Sequence, residues 1–243
     1  MSKALLLAAG MGSRLRSIAG DLPKPLVPFA GAPIISHNLR WLAAGGVTDV
    51  WINLHYQADA IRQAVGDGSA YGLTAHYIYE PQLLGTAGAL ANIAAVFDRT
   101  MLVVYSDNVV RCDLDALRRA HSAASAECTL ALFDQDRHAH TGIAGGRVLI
   151  GPDQAVTGFT EGVAHGSSLV NAGVYAVEPS ILDLIPLPGL IDFGRDVFPA
   201  MIKAGRRLQA YIIADNGFCL GLDTPEAFAA GQALVDAGRI DLA

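Results

Sequence analysis

Near its amino terminus the chain reads Leu5-Leu-Leu-Ala-Ala-Gly-Met-Gly-Ser-Arg-Leu-Arg16, and this stretch decides the fold. The apolar run that opens it is typical of a buried strand. Gly10 and Gly12 then allow a sharp turn that presents backbone N–H groups to an anion at close range. Arg14 adds a cation to the same segment. The stretch therefore predicts a strand that ends in an anion-binding loop.

Two common nucleotide-binding loops do not fit this stretch. A dinucleotide-binding fingerprint needs a third glycine at position 15, where Leu15 stands. The GxxxxGK[ST] pattern of a P-loop is also missing. A second basic element follows instead in Asp21-Leu-Pro-Lys-Pro-Leu-Val-Pro28. We expect its Lys24 to be a flexible, exposed cation that adds positive charge to the anion site.

Composition and charge limit the class of protein. Of 243 residues, 52% are hydrophobic and 16% are charged, which favours a folded core over disorder. The formal net charge of −6 argues against a nucleic-acid partner. Three cysteines without a CxxC pair favour reduced thiols over a disulfide framework or zinc cluster. No segment is typical of a membrane span or signal peptide, so we expect a cytoplasmic protein without a membrane partner.

Strand-like and helix-like segments alternate along the first half of the chain. The predicted strands are Ala4–Ala8, Val50–Leu54, Leu73–Tyr79, Met101–Tyr105 and Thr129–Phe133. The predicted helices are Pro33–Ala44, Gln57–Val65, Ala87–Val96 and Leu114–Ala123. This alternation predicts an α/β fold with a mixed, mostly parallel sheet flanked by helices. Ligands of such sheets bind beyond the carboxyl ends of the strands.

Two carboxylates are candidates for a magnesium site. Asp107 directly follows the predicted strand ending in Tyr105-Ser106, so it should lie at the ligand edge of the sheet. Its alternative role is to cap a turn or the following helix. Asp223 lies in Gly221-Leu-Asp-Thr-Pro-Glu-Ala-Phe228, which also spells the start of a helix, so a helix cap is its alternative role.

The segment Glu80-Pro-Gln-Leu-Leu-Gly-Thr-Ala-Gly-Ala-Leu90 is glycine-rich where a helix should begin. Small residues there allow the backbone to approach a flat base, and Thr86 can cap the helix. An ordinary loop is the alternative. Two other motifs are weaker: Asp134–His140 favours a solvated loop over a metal cluster, and Asp113-Leu-Asp115, which mimics a glycosyltransferase DxD motif, favours helix capping.

In this order, the motifs resemble the signature of the sugar-1-phosphate nucleotidyltransferases, also called NDP-sugar pyrophosphorylases. The specific part is G-x-G-[ST]-R, followed some ten residues later by P-K-P at Pro23-Lys-Pro25. Leu84-Gly-Thr-Ala-Gly-Ala89 resembles a segment of mannose- and heptose-1-phosphate guanylyltransferases, with Leu83 at the usual proline position. The resemblance covers residues 3–228, nearly the whole chain.

The resemblance implies a Rossmann-like nucleotidyltransferase fold in a single domain over residues 1–243. Residues of about 1–135 would bind the nucleotide, and residues of about 136–243 would bind the sugar phosphate. Catalysis would fall to Arg14, which holds the leaving pyrophosphate, and to Lys24, which bridges toward the α-phosphate. The expected nucleotide-binding residues are Ala8, Ala9, Gly10, Gly12, Ser13, Gly85 and Thr86.

Family members place a metal-binding Asp after the strand equivalent to the one before Asp107, usually preceded by glycine, where Ser106 stands here. The family's late D-x-G-T-P-E segment resembles residues 221–226 in two registers: one places the metal ligand at Gly221, the other at Asp223. We favour Asp223, since it is the only carboxylate between positions 215 and 226. The resemblance thus implies Mg²⁺ held by Asp107 and Asp223.

The expected sugar-phosphate-binding residues are Asn108, Glu161, Asn171 and Arg195. Glu161 and Asn171 resemble the family's E-K and N-x-G segments, but Gly162 replaces the lysine that commonly contacts the sugar phosphate. Arg195 and Lys203 are the candidates to supply that charge instead, and a solvated surface position is the alternative for each of these side chains.

The implied reaction joins an NTP, with GTP favoured, to a mannose- or heptose-type sugar 1-phosphate and releases pyrophosphate. A uridylyltransferase that acts on another sugar or amino-sugar 1-phosphate is the nearest alternative. A DxD glycosyltransferase and a non-catalytic sugar-nucleotide sensor are alternatives of another class. The oligomeric state stays open, with a homodimer as one option.

Overall fold

A mixed nine-stranded sheet forms the centre of the computed structural model, which describes residues 2–10, 13–142, 145–162 and 166–242. The strands are β1 (Ser2–Leu7), β2 (Pro28–Phe29), β3 (Ala32–Pro33), β4 (Val47–Leu54), β5 (Thr74–Tyr79), β6 (Met101–Tyr105), β7 (Asn108–Arg111), β8 (Cys128–Asp134), β9 (Ala139–Thr141), β10 (Arg147–Ile150), β11 (Val156–Thr160), β12 (Leu169–Val177), β13 (Leu208–Ile212) and β14 (Phe218–Gly221).

The α-helices are α1 (Arg16–Ala19), α2 (Ile34–Ala44), α3 (Ala58–Val65), α4 (Gly85–Ala91), α5 (Leu114–Ala123), α6 (Phe198–Lys203) and α7 (Pro225–Asp236). Short 3₁₀ turns lie at Ser13–Leu15, Lys24–Leu26, Ser69–Tyr71, Ala94–Val96 and Pro179–Leu184, and a π-helical turn lies at Phe193–Val197. Within the ranges that the structure describes, no helix combines the length and apolarity needed to cross a bilayer.

The main sheet has the order β11-β10-β12-β6-β1-β4-β5, and β8 pairs with both β12 and β13. Strands β6, β1, β4 and β5 are parallel to one another, whereas β12 runs antiparallel to β6, β8 and β10. Helices cover both faces, so the predicted α/β fold with a mixed sheet flanked by helices is confirmed. The carboxyl ends of β1, β4, β5 and β6 lie at one edge, as expected for a ligand-binding edge.

The two faces of the sheet carry separate cores. Leu6 packs in the core covered by α2, α3 and α5, whereas its neighbour Leu5 packs in the core covered by α4 and α6. This alternation follows from the two-residue repeat of a strand. On α2, the apolar residues Ile34, Ile35, Leu39 and Leu42 are fully buried. A third core lies beneath the small sheet β7-β14-β9 and packs against α7.

Some predicted boundaries differ from the structure. Pro33 belongs to the β2–β3 hairpin and precedes α2, because its ring accepts an extended backbone as readily as a first helical turn. The predicted helix Ala87–Val96 begins earlier, at Gly85, and ends at Ala91. Helix α5 has the predicted bounds, and its predicted cap is confirmed, since Asp113 accepts the Ala116 N–H at 2.9 Å.

Candidate active site

Lys24 lies between the two candidate metal carboxylates. Its ammonium group donates to Asp107 Oδ2 at 3.1 Å and to Asp223 Oδ1. The side chain is only about 5% exposed, so the expectation of a flexible, exposed cation is wrong. Burial of a lysine is tolerated when opposite charges pair with it. The ion pairs therefore explain why this lysine is buried.

Strand pairing brings the two carboxylates together across more than a hundred residues of chain. Strands β7 and β14 are antiparallel, and their register places Asn108 opposite Gly221. Asp107 directly precedes β7, and Asp223 follows β14 by two residues. The two carboxylates consequently meet at one end of the small sheet.

Buried hydrogen bonds hold the turn that carries Asp107. Asn38 on α2 is fully buried, and its Nδ2 donates to the carbonyls of Ser106 and Asn108 at 3.3 and 2.9 Å. The Ser106 hydroxyl donates to the carbonyl of Leu7 at 2.7 Å. Ser106 at the family's usual glycine position thus ties the turn to the end of β1.

Asp223 does not cap the helix that follows it. Thr224 is the N-cap of α7, and its hydroxyl accepts the Ala227 N–H at 3.2 Å. The alternative role of Asp223 as the cap is therefore wrong. Its carboxylate instead faces Lys24 and, at 3.9 Å, the largely exposed guanidinium of Arg14. The formal charges of the two carboxylates and these two cations cancel.

The donor set at this point suits a hard dication. Because one ammonium touches an oxygen of Asp107 and an oxygen of Asp223, both carboxylates reach a common cation position. Mg²⁺ is commonly bound by one or two carboxylates together with waters and substrate phosphate oxygens. Lys24 is thus a stand-in cation, and the two carboxylates fit such an ion.

A cleft of about 310 Å³ opens beside these charges. Its wall includes the predicted nucleotide-binding residues Ala8, Ala9, Gly10, Gly85 and Thr86, together with Asp107. Gly12 lies outside the described residues, and Ser13 begins the 3₁₀ turn that leads to Arg14. No atom of the described residues would lie within 4 Å of a Cβ at Gly10, other than those of its chain neighbours.

Two cleft residues were not identified from the sequence. Glu80 follows β5, is 1% exposed, and accepts from Asn53 Nδ2 at 2.9 Å and from the Leu84 N–H at 3.2 Å. Asn53 in turn accepts the Ala8 N–H at 2.8 Å. Two sequence features could have identified them: Asn53 stands inside an apolar strand, and Glu80 is a carboxylate at a strand end. Both donors that the described residues offer to the Glu80 carboxylate are neutral groups, so burial of this side chain is costly and points to a function.

The amino terminus of α4 is clamped by a segment from the second half of the chain. The carbonyl of Ile191 accepts the N–H groups of Ala87 and Gly88 at 2.9 and 3.1 Å. Asp192 Oδ1 accepts both the N–H and the hydroxyl of Thr86, at 3.2 and 3.1 Å. Thr86 therefore holds this clamp and does not cap α4, so the expected capping role is wrong.

Beside this clamp, polar and aromatic side chains reach into the second half of the chain. The Tyr105 ring packs edge-on against the ring of Tyr175, with the ring centroids 5.9 Å apart, and burial raises the pKa of Tyr105 to about 12. The Tyr175 hydroxyl accepts from Asn171 Nδ2 at 2.7 Å, and Asn171 Oδ1 accepts the Gly173 N–H at 3.1 Å. Asn171 therefore has one amide N–H and one lone pair of Oδ1 left for a ligand.

The other predicted sugar-phosphate residues lie near the same clamp. Glu161 packs against the backbone of Gly194, where a Cβ would lie 1.9 Å from its Oε1. Burial and the Asp192 carboxylate raise the pKa of Glu161, and Arg195 opposes this shift. The half-exposed Arg195 is paired with Asp192 at 3.2 Å and with Asp196 at 2.8 Å, so its charge is already largely neutralised.

Asn108 and the histidine-rich stretch occupy buried positions. Asn108 is 8% exposed, and its amide lies beside Gly173. The Tyr105 side chain packs against the same glycine. Within the stretch expected to be a solvated loop, His138 is buried, with its Nε2 3.1 Å from the carbonyl of Ile213. Residues Ala139–Thr141 form β9, so the prediction of a solvated loop is wrong for this part.

The sequence pattern described as nucleotidyl transferase matches residues 3–238. The chain belongs to this family. It is 32% identical to mannose-1-phosphate guanylyltransferase from Mycobacterium tuberculosis over 95% of the chain, and 32% identical to mannose-1-phosphate guanyltransferase from Schizosaccharomyces pombe over 96% of the chain. The chain spans 63% and 64% of the length of these two relatives.

A solved structure shows the same fold. HddC from Yersinia pseudotuberculosis, complexed with GMP-PN, superposes with a TM-score of 0.77 at 24% identity, covering 97% of this chain and all of that one. The suggested resemblance to sugar-1-phosphate nucleotidyltransferases, and the nucleotidyltransferase fold, are thus confirmed.

The clamp on α4 predicts that Gly85→Ala lowers the free energy of unfolding by more than backbone strain alone would. Gly85 has φ +78°, and its Cβ would lie 2.4 Å from the carbonyl oxygen of Ile191. Gly72 is the matched control, since it has φ +80° but open space around its Cβ. We expect Gly72→Ala to lower the free energy of unfolding by about 1–2 kcal/mol, and Gly85→Ala by about 1–3 kcal/mol more. Urea unfolding measures both; equal losses would contradict the clamp.

Proposed function

We propose that this protein transfers the guanylyl group of GTP to a sugar 1-phosphate of the mannose or heptose type and releases pyrophosphate. The single observation that carries the choice of GTP is the buried carboxylate of Glu80 in the wall of the cleft. The 32% identity to mannose-1-phosphate guanylyltransferases supports the same choice.

A carboxylate distinguishes guanine from the other bases. Ionised Glu80 can only accept hydrogen bonds, and each of its oxygens has a further lone pair beyond the bonds from Asn53 and Leu84. Guanine presents N1–H and N2–H side by side, so one carboxylate can accept both. Uracil presents a single N–H between two carbonyl oxygens, so one oxygen of Glu80 could accept that N–H while the other would face a carbonyl oxygen without a donor.

The charges beside the cleft suit transfer of a nucleotidyl group. The backbone of Ala8–Gly10 and the Arg14 guanidinium would bind the leaving pyrophosphate, and Lys24 would neutralise the α-phosphate. Asp107 and Asp223 would hold Mg²⁺, which supplies positive charge to the phosphate oxygens as they gain negative charge. A sugar phosphate is already ionised at neutral pH, so its oxygen can attack the α-phosphorus without a general base. Catalysis then depends on orientation and charge neutralisation.

The acceptor would bind on the side of the clamp formed by the second half of the chain. Glu161 would accept hydrogen bonds from sugar hydroxyls, and Asn108 and Asn171 would bind through their amides. Since Arg195 is engaged by Asp192 and Asp196, we assign it the weaker role of balancing charge near the sugar phosphate. The phosphate would then depend more strongly on Lys24 and the metal.

Substitution of Glu80 tests the base specificity. We expect Glu80→Gln to lower kcat/KM for GTP by about 10–100-fold, since loss of a charge-assisted hydrogen bond costs about 1.5–3 kcal/mol. The amide can donate to a uracil carbonyl, so the ratio of UTP to GTP use should rise. Glu178→Gln is the control, because Glu178 is a partly buried carboxylate outside the cleft. Unchanged GTP preference in the Glu80 variant would contradict the assignment.

Pyrophosphate exchange tests the class of reaction. With its GDP-sugar and Mg²⁺, the protein should incorporate labelled pyrophosphate into GTP, because nucleotidyl transfer is reversible at that bond. A glycosyltransferase would instead transfer the sugar without exchange, and a sensor would bind the nucleotide sugar without turnover. Either of these results would overturn the proposal.

Substitution of the carboxylates tests the metal assignment. We expect Asp107→Asn and Asp223→Asn each to reduce magnesium-dependent exchange by about 10²–10³-fold, because the amide keeps the shape but loses the charge. Asp98→Asn is a control, since Asp98 pairs with Lys3 away from the site. If Asp223→Asn kept full activity and magnesium dependence while Asp107→Asn did not, Asp223 would not be a ligand.

A further inference from the structure

Lys24 holds the position that a metal ion between Asp107 and Asp223 would need. Its buried ammonium contacts one oxygen of each carboxylate. We propose that Lys24 occupies the metal position in the nucleotide-free protein and leaves it only when a dication arrives together with nucleotide phosphates. This inference rests on the proposed function, because it concerns the metal and the triphosphate of that reaction.

The charge balance of the cluster makes binding of a metal alone unfavourable. Asp107 and Asp223 are formally neutralised by Lys24 and Arg14. A dication entering by itself would add two uncompensated charges and would repel the ammonium at short range. The displaced ammonium would also lose its two carboxylate partners in a largely buried position, which is costly.

A nucleoside triphosphate removes both obstacles. It brings about four negative charges at neutral pH, enough to balance the dication and to receive the ammonium through charge-assisted hydrogen bonds. The exchange requires little backbone movement, because the four-carbon stem of a lysine can redirect its head group. Pro25, next to Lys24, and Asp107 both line the cleft, so the ammonium has only to turn toward it. Lys24 would thus change partners from carboxylate to phosphate.

The surrounding structure favours movement of the side chain over movement of the main chain. Lys24 begins a 3₁₀ turn, with Pro23 before it and Pro25 after it, and its carbonyl accepts the Val27 N–H at 3.1 Å. Prolines on both sides restrict the backbone. The main chain that carries the two carboxylates is also restricted, because β7 and β14 are paired next to it. The lysine side chain is therefore the adaptable part of the cluster.

The experiment is a titration of nucleotide-free protein with Mn²⁺, with free Mn²⁺ followed by electron paramagnetic resonance. The wild type should bind Mn²⁺ weakly, and Lys24→Met should bind it at least tenfold more tightly, because the competing ammonium is gone. Adding Asp107→Asn to Lys24→Met should abolish the gain, which locates the ion. Lys3→Met is the matched control: it removes another lysine paired with an aspartate, Asp98, and should leave Mn²⁺ affinity unchanged.

Thermal unfolding gives a second readout that needs no turnover. Without metal, Lys24→Met should melt below the wild type, since two carboxylates then face each other without their shared cation. Mn²⁺ should raise the melting temperature of the variant more than that of the wild type, because a ligand that binds only the native state stabilises it. Lys24→Gln keeps a donor without the charge and serves if Lys24→Met does not fold; the same gain in Mn²⁺ affinity is expected.

Equal Mn²⁺ affinity in the wild type and both Lys24 variants would overturn the inference, as would tight binding of Mn²⁺ by the nucleotide-free wild type. The titration contains no nucleotide or sugar. A protein that transfers uridylyl instead of guanylyl groups would therefore fail the Glu80 test and still pass this one. A protein with normal guanylyl transfer and unchanged Mn²⁺ affinity in the variants would refute only the role of Lys24.

Discussion

The antiparallel pairing of β7 with β14 is the constraint on which the site depends. It places Asn108 opposite Gly221, and so brings Asp107 and Asp223 to the same buried ammonium. Two carboxylates close enough to contact the same ammonium repel each other unless a cation lies between them. The fold therefore builds a position that a cation must occupy, and the Lys24 ammonium occupies it. The exchange proposed for Lys24 and a metal ion depends on this arrangement.

The clamp between α4 and residues 191–192 is a second constraint, and it fixes one wall of the cleft. Helix amino termini commonly bind anions, yet the Ala87 and Gly88 amides are bonded to Ile191, and Asp192 takes the amide of Thr86. The segment is therefore a joint between the two halves of the chain rather than a phosphate site. In the proposed function, recognition of the base falls instead to the side chain of Glu80 in the wall of the cleft.

Much of the architecture could be predicted from local sequence, and the reasons are physical. Alternation and helical periodicity identified β6 and α5 with their observed bounds, and the carboxyl-edge rule placed Asp107 correctly. Local sequence misjudged Thr86, since an N-cap and a clamp residue have the same short polar side chain. It also missed Glu80 and Asn53, because a polar residue near a strand end has no distinguishing pattern until its neighbours are known.

By itself, the sequence determined the α/β class through its periodicity, and it indicated the family through motifs that resemble a known signature. It also predicted residue types whose chemistry suits phosphate and a dication. Only the tertiary structure decided that Lys24 is buried, that Thr224 and not Asp223 caps α7, and that Arg195 is already paired. Each of these depends on contacts between residues distant in the chain. Such contacts arise from strand register and packing, which no local pattern encodes.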